Sequence, residues 1–122
     1  MYFEIHADDP ARAADFYRRL FGWSVEKADE NLPVEYWRVH GDQLAGGLLP
    51  RPEPAPDSER GCNAFVVSFE VADFDRTHDR IAELGGQVAL PKFAVPGRCW
   101  QGYFLDTEGN TFGIYQPDDT AG

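Results

Sequence analysis

FEIHADDPARAADFYRRLFGW at residues 3–23 and FEVADFDRTHDRIAELGGQ at residues 69–87 carry the same succession of signals. Each opens on a short alternating run, Phe3-Glu4-Ile5 or Phe69-Glu70-Val71, and passes into an Asp-led helical stretch. Each then closes at glycine, Leu20-Phe21-Gly22-Trp23 in the first and Leu84-Gly85-Gly86-Gln87 in the second. A strand-helix unit written twice in one short chain predicts a pseudo-symmetric fold, with a concave groove shared between the halves as the place for a ligand.

Around the first copy, Tyr2 to Ala7 alternates, with Phe3, Ile5 and Ala7 on one face and Tyr2, Glu4 and His6 on the other, the period of a strand that rests on a core. Asp9 then caps a helix that has Pro10 in its first turn, where the missing N–H costs nothing. Ala13, Ala14, Phe16, Tyr17, Leu20 and Phe21 form the apolar stripe, and Gly22 stops it. Trp23 to Ala28 and Pro33 to His40 read as strands, Gly41-Asp42 as a turn, and Gln43 to Leu49 as a further strand.

The stretch from Pro50 to Asn63, with Pro50, Pro52, Pro54 and Pro56, cannot join a sheet and reads as a linker. Ala64 to Val71 reads as the most apolar strand. Asp73 caps a helix with the stripe Phe74, Thr77, Ile81 and Leu84. Strands follow at Gln87 to Val95, Arg98 to Asp106 and Thr111 to Gln116, broken at Pro96-Gly97. Asp106 to Asn110 has the chemistry of a type I turn followed by a left-handed Gly109. Pairing Asp106 with Asn110 sets Phe104 beside Phe112 in the core and Tyr103 beside Gly113, its ring over the space the glycine leaves. The result is an α+β protein of two βαβββ modules, residues 1–49 and 64–117, with a linker at 50–63 and a tail at 118–122.

With 122 residues, 43% of them hydrophobic, the chain can bury a core without disulfides or structural metal. Eleven Lys and Arg against 21 Asp and Glu give a net charge of −10, which disfavours nucleic acid and anionic lipid as partners. No apolar run is long enough to cross a bilayer. Cys62 and Cys99 stand far apart and form neither a disulfide framework nor a zinc knuckle. The start of the chain has no signal-peptide pattern, and a cytoplasmic location is expected.

Several polar side chains share faces in this scheme. Glu4, between Tyr2 and His6, is either a general base with a pKa raised by the groove or a carboxylate hydrogen-bonded within it. Tyr36 and Arg38 share a face, where the Arg either clamps a carboxylate or phosphate or pairs with one of the many acids. Cys99, Gln101, Tyr103 and Tyr115 fall on the face of Gly113. The two Tyr residues suit a flat or amphipathic molecule, and Cys99 reads as an inert thiol. Glu70 reads as a rim charge, His40 and His78 as solvated, and Trp23, Trp37 and Trp100 as core or interface residues.

Phe3-Glu4-Ile5, Asp8 to Ala13, Phe16-Tyr17, Leu20 to Trp23, Gly46-Gly47-Leu48, Gly85-Gly86, Pro91-Lys92, Val95-Pro96-Gly97 and Asp106 to Gly113 together resemble the vicinal oxygen chelate superfamily. That superfamily contains glyoxalase I, extradiol dioxygenases, fosfomycin resistance enzymes and bleomycin resistance proteins, and the likeness is to its stand-alone glyoxalase-like members. The resemblance implies sheets curled around a cleft, helices outside and a homodimer. It also implies metal ligands on the first and last strands of each module. Those positions fall on Tyr2, Val66 and Gly113, with the remaining one near Gly47, and Val and Gly side chains offer no donor atom. Two residues further along the same faces, Glu4, Ser68 and Tyr115 line the cleft. The expectation is a protein that binds a small organic molecule with no metal or other cofactor. If it is an enzyme, it is a glyoxalase-related lyase or isomerase using Glu4. The alternatives are a metal-dependent lyase, isomerase or dioxygenase, and a regulatory or interaction module that has lost its small-molecule site.

Overall fold

Two Asp residues start the two helices, and the sheets are arranged by what those helices cover. Asp9 and Asp73 both lie in extended backbone, and each accepts a hydrogen bond at 3.1 Å from the amide three residues on, Arg12 or Arg76. This satisfies an amide that the first turn leaves open. α1 spans Pro10–Phe21 and ends at Gly22, whose left-handed φ of 72° only glycine adopts without strain. α2 spans Phe74–Glu83. Neither helix is long and apolar enough to cross a membrane. The computed structural model describes residues 2–55, 57 and 65–122.

The strands are β1 (Phe3–Ala7), β2 (Ser24–Lys27), β3 (Trp37–Gly41), β4 (Leu44–Pro50), β5 (Ser68–Glu70), β6 (Gln87–Val95), β7 (Cys99–Leu105) and β8 (Thr111–Pro117). They form two four-stranded mixed sheets, ordered β1-β4-β3-β2 and β5-β8-β7-β6. In each, the first strand pairs in parallel with the last and the other pairs are antiparallel. The protein is therefore α+β with two βαβββ modules. The chain divides into two compact units, residues 1–56 and 57–122.

Within the first unit α1 buries Ala13, Ala14, Phe16 and Tyr17. Val25, Val39 and Leu48 are buried on the sheet face that receives it. The turn at Gly22 brings Trp23 back onto the helix, its ring parallel to Tyr17 at 5.1 Å and near Phe21 at 5.0 Å. Within the second unit Phe74 and Ile81 pack on Phe104, Phe112 and Ile114, all buried. Gly102 permits this packing, because a Cβ there would lie 2.6 Å from the Phe74 ring. Lys92 crosses above, 4.8 Å from the Trp100 ring and 5.4 Å from Phe74, and pairs with Asp75 at 3.0 Å.

The hairpin at Asp106 forms as its sequence indicates. The Asp106 amide donates to the Asn110 carbonyl at 2.9 Å, Gly109 has φ 78°, and Phe104 and Phe112 pair with ring centroids 5.9 Å apart. Four expectations are corrected. Pro50, read as the start of the linker, instead ends β4 opposite Ala7, where a proline at a strand end loses no ladder bond that the sheet needs. β3 begins at Trp37 rather than at residue 33, because Pro33 has no N–H to give and Val34 and Glu35 are exposed, although Ala28 still bonds the Tyr36 carbonyl at 2.8 Å. The β3–β4 turn is Asp42-Gln43, one residue later than expected, with Gln43 at φ 61°. β5 is only Ser68–Glu70, and Phe65 and Val66 are exposed. The start of that expected strand at Ala64, much of the expected linker and Cys62 lie outside the described residues.

Candidate functional site

In each sheet the strand period separates the face that carries the helix from a second, more polar face. In the first sheet the register aligns Glu4, Gly47, Arg38 and Glu26 in one row across the second face. In the other sheet Ser68, Gly113 and Tyr103 make the corresponding row. The two rows are equivalent: Glu4 precedes its capping Asp9 by the same five residues that separate Ser68 from Asp73. Tyr36 and Gln101, each two residues before the third member of its row, then occupy equivalent places, and both reach over the glycine beside them.

On the first sheet the Tyr36 hydroxyl donates to Glu4 Oε2 at 2.7 Å. That uses its one proton, so in the 2.7 Å contact between the two phenols Tyr2 is the donor. Arg38 Nη1 donates to the Tyr2 hydroxyl at 3.3 Å, and Arg38 grips Glu30 through Nη2 at 2.9 Å and Nε at 3.4 Å. The guanidinium also lies 5.0 Å from the centre of the Tyr36 ring. The chain of donors runs Arg38, Tyr2, Tyr36, Glu4. Burial first, then the bonds to Tyr2 and Glu4 and the Glu4 charge, push the Tyr36 phenol well above its ordinary value, so it stays protonated. Arg38 is likewise held above its ordinary value, chiefly by Glu30 and then by Tyr2.

On the second sheet Gln101, only 9% exposed, donates from Nε2 to Ser68 Oγ at 3.1 Å and to the Gly102 carbonyl at 3.4 Å. Tyr115 pairs with Gln101 and with Glu70 on either side. Tyr103 stacks on Phe93 of β6 at 6.3 Å. Cys99 is half-buried beside Val95 and Pro117. Among the described strand residues, nothing on this face is charged apart from Glu70 at the strand end.

The eight side chains that the sequence offers as ligand-binding residues therefore fall into two groups, one in each unit: Tyr2, Glu4, Tyr36 and Arg38, then Ser68, Gln101, Tyr103 and Tyr115. Of the two readings of Arg38, the ion pair is the one observed. Its partner, Glu30, carries no sequence signal, since it lies in the irregular stretch between β2 and β3. The Tyr103 ring does lie beside Gly113, 3.1 Å from where a Cβ would stand, but the Ser68 hydroxyl and the Gln101 amide are closer. His40 is exposed, and His78 bonds Asp79 at 3.0 Å with its ring against Phe104.

The residues at the implied metal positions do not fit a divalent ion. A Cβ on Gly47 would overlap the Tyr36 hydroxyl, and one on Gly113 would overlap the Ser68 hydroxyl. Val66 presents hydrocarbon, and Tyr2 is a phenol already bonded to Tyr36 and Arg38. The carboxylate nearest these positions in the first unit, Glu4, already accepts the Tyr36 hydroxyl through Oε2, and no second carboxylate or imidazole joins it among the described residues. Among the described residues no three His, Cys, Asp or Glu side chains converge as a metal site.

Residues 2–114 match the family described as the Glyoxalase/Bleomycin resistance protein/Dioxygenase superfamily. The chain is similar to the putative glyoxylase CFP32 of Mycobacterium tuberculosis, 26% identical over 98% of this chain and 46% of that one. It is also similar to the anthracycline biosynthesis protein DnrV of Streptomyces peucetius, 26% identical over 94% of this chain and 46% of that one. It thus spans under half the length of these relatives. Among solved structures, the fosfomycin resistance protein FosX of Listeria monocytogenes, complexed with Mn(II) and sulfate, superposes with a TM-score of 0.73. The identity is 15%, over 97% of this chain and 89% of that one, and shows a shared fold.

Proposed function

The chain belongs to the glyoxalase/bleomycin resistance protein/dioxygenase superfamily, and from that membership we propose that it binds a small organic molecule on the polar faces of its sheets without a metal. One observation carries the reading. In both units a side chain reaches across a glycine of the last strand to an acceptor on the first, Tyr36, just before β3, over Gly47 to Glu4, and Gln101, in β7, over Gly113 to Ser68. Three of the positions at which the family resemblance implies metal ligands, Tyr2, Gly47 and Gly113, are taken up by the chain's own hydrogen bonds or lie beneath them.

What remains for a ligand is aromatic surface with polar tips. Each unit has its own pair, Tyr2 and Tyr36 on the first sheet and Tyr103 and Tyr115 on the second, and either pair suits a flat or amphipathic molecule. Ser68 and Gln101 offer uncharged hydrogen bonds. Glu4, held by Tyr36, is the group placed to take a proton from a bound molecule, should the protein act as a lyase or isomerase. The name of one relative, an anthracycline biosynthesis protein, accords with an aromatic ligand. We read the protein as a homodimer, which light scattering on a size-exclusion column checks.

Melting curves recorded with a library of aromatic small molecules test the proposal. A ligand should raise the melting temperature in the presence of EDTA and be recovered unchanged. Turnover abolished by EDTA and restored by Mn(II) would instead establish the metal-dependent lyase, isomerase or dioxygenase reading. Metal-independent turnover lost in Glu4→Gln would make Glu4 a catalytic residue.

A further inference from the structure

The charges on the first sheet decide what kind of molecule its polar face accepts. Arg38 is the one Lys or Arg on that face among the described strand residues, and it is committed elsewhere. Glu30 holds it through two nitrogens at 2.9 and 3.4 Å, and Tyr2 takes a third N–H. Forming a bidentate clamp on a carboxylate or phosphate would break that pair and leave Glu30 without its cation. Glu4 and Glu26, in the same row as Arg38, have no cationic partner among the described residues. Glu4 is bonded through Oε2 to a neutral phenol, and its other oxygen takes part in no hydrogen bond among them. Beside Glu4 stands Tyr2, 51% exposed. The face already seats one cation against a ring, the Arg38 guanidinium 5.0 Å from the centre of Tyr36.

We infer that the ligand is a flat aromatic molecule bearing a protonated amine, the amine bound by Glu4 and the ring by Tyr2. This rests on the small-molecule reading above and adds the charge of the ligand to it. An ammonium gains the carboxylate as partner and a ring quadrupole beside it. A carboxylate or phosphate in the same place meets Glu4, and the one guanidinium of the row is held by Glu30. Tyr36 acts as a positioning residue, fixing the Glu4 carboxylate so that one oxygen stays turned to the ligand.

Three probes matched in ring and differing in charge test this: aminomethyl-anthracene as the cation, hydroxymethyl-anthracene as the neutral analogue and carboxy-anthracene as the anion. Binding is read by fluorescence at low and high salt. The cation should bind about tenfold more tightly than the anion at low salt, a preference that shrinks as salt screens it. Glu4→Gln, an exposed position where folding is checked by circular dichroism, should bring the cation down to the affinity of the neutral probe. Arg38→Gln should raise affinity for the cation by removing the nearest repelling charge. Tightest binding of the anion, or a cation affinity unmoved by Glu4→Gln, overturns the inference while leaving small-molecule binding intact. Failure of all three probes to bind overturns both.

Discussion

The two units solve one geometric problem with different chemistry. Each puts a glycine at the centre of its polar face, Gly47 or Gly113, and each covers that glycine with a donor two positions before the neighbouring residue of the adjacent strand. In the first unit the cover is a half-buried Tyr in a charged chain ending at Glu4 and Glu30. In the second it is a nearly buried amide bonded to a neutral hydroxyl. The backbone arrangement is therefore separable from the chemistry it displays. One frame presents a face with charges at its centre, and the other a face whose centre is neutral, with Glu70 at the strand end.

The largest difference between the units lies beneath those faces. The residue after the capping Asp is Pro10 in α1 and Phe74 in α2, and only Phe74 enters a core, over Gly102 and 6.1 Å from Phe104. Phe74→Ala should cost about 3–5 kcal/mol, read as a fall in the urea midpoint. A cost below about 1 kcal/mol would show that α2 does not depend on that anchor.

Next come the glycines themselves. Ala at either position forces its cover to move, at about 1–3 kcal/mol. Gly113→Ala should lie at the upper end, since Gln101 is buried, and Gly47→Ala at the lower end, since Tyr36 can swing into solvent. Reversal of that order would mean that Tyr36 is held more firmly than Gln101.

Removing the Tyr36 hydroxyl while keeping its ring is milder. Tyr36→Phe should lose about 1 kcal/mol, one net hydrogen bond. The loss should also depend on pH in a way the second unit cannot imitate. The phenol is raised in the folded protein, so the unfolded chain ionises first. The stabilisation is complete below the ordinary value of about 10 and declines as pH rises above it. Wild type and Tyr36→Phe should therefore converge in melting temperature at high pH. A gap that stays constant would remove Tyr36 from the network. The smallest effect is expected for Glu30→Gln, within about 0.5 kcal/mol, because the pair with Arg38 is exposed on both sides.

Both helices, their Asp caps and the Asp106 hairpin were legible in the sequence, since each depends on residues close along the chain. So were the faces of Glu4, Arg38, Gln101 and Tyr103, which follow from period-two alternation. The bonds between them were not. They depend on the parallel pairings of β1 with β4 and β5 with β8, which no tight turn fixes. The literal echo of Phe3-Glu4-Ile5 in Phe69-Glu70-Val71 is itself two residues out of step with the three-dimensional equivalence, which matches Glu4 to Ser68. Strand length was overread where β-branched or aromatic residues were exposed, at Val34, Phe65 and Val66, because propensity does not report whether a neighbouring strand is there to pair.

Metal content bears most directly on what the two covered glycines do. Mass spectrometry for metals on protein purified without an affinity tag, paired with melting curves in EDTA, should find no divalent ion near one per chain and no change in melting temperature. One Mn, Zn, Ni or Fe per chain, with a melting temperature that falls on chelation and recovers on adding the ion back, would contradict the account and return Gly47 and Gly113 to a metal centre built from other donors.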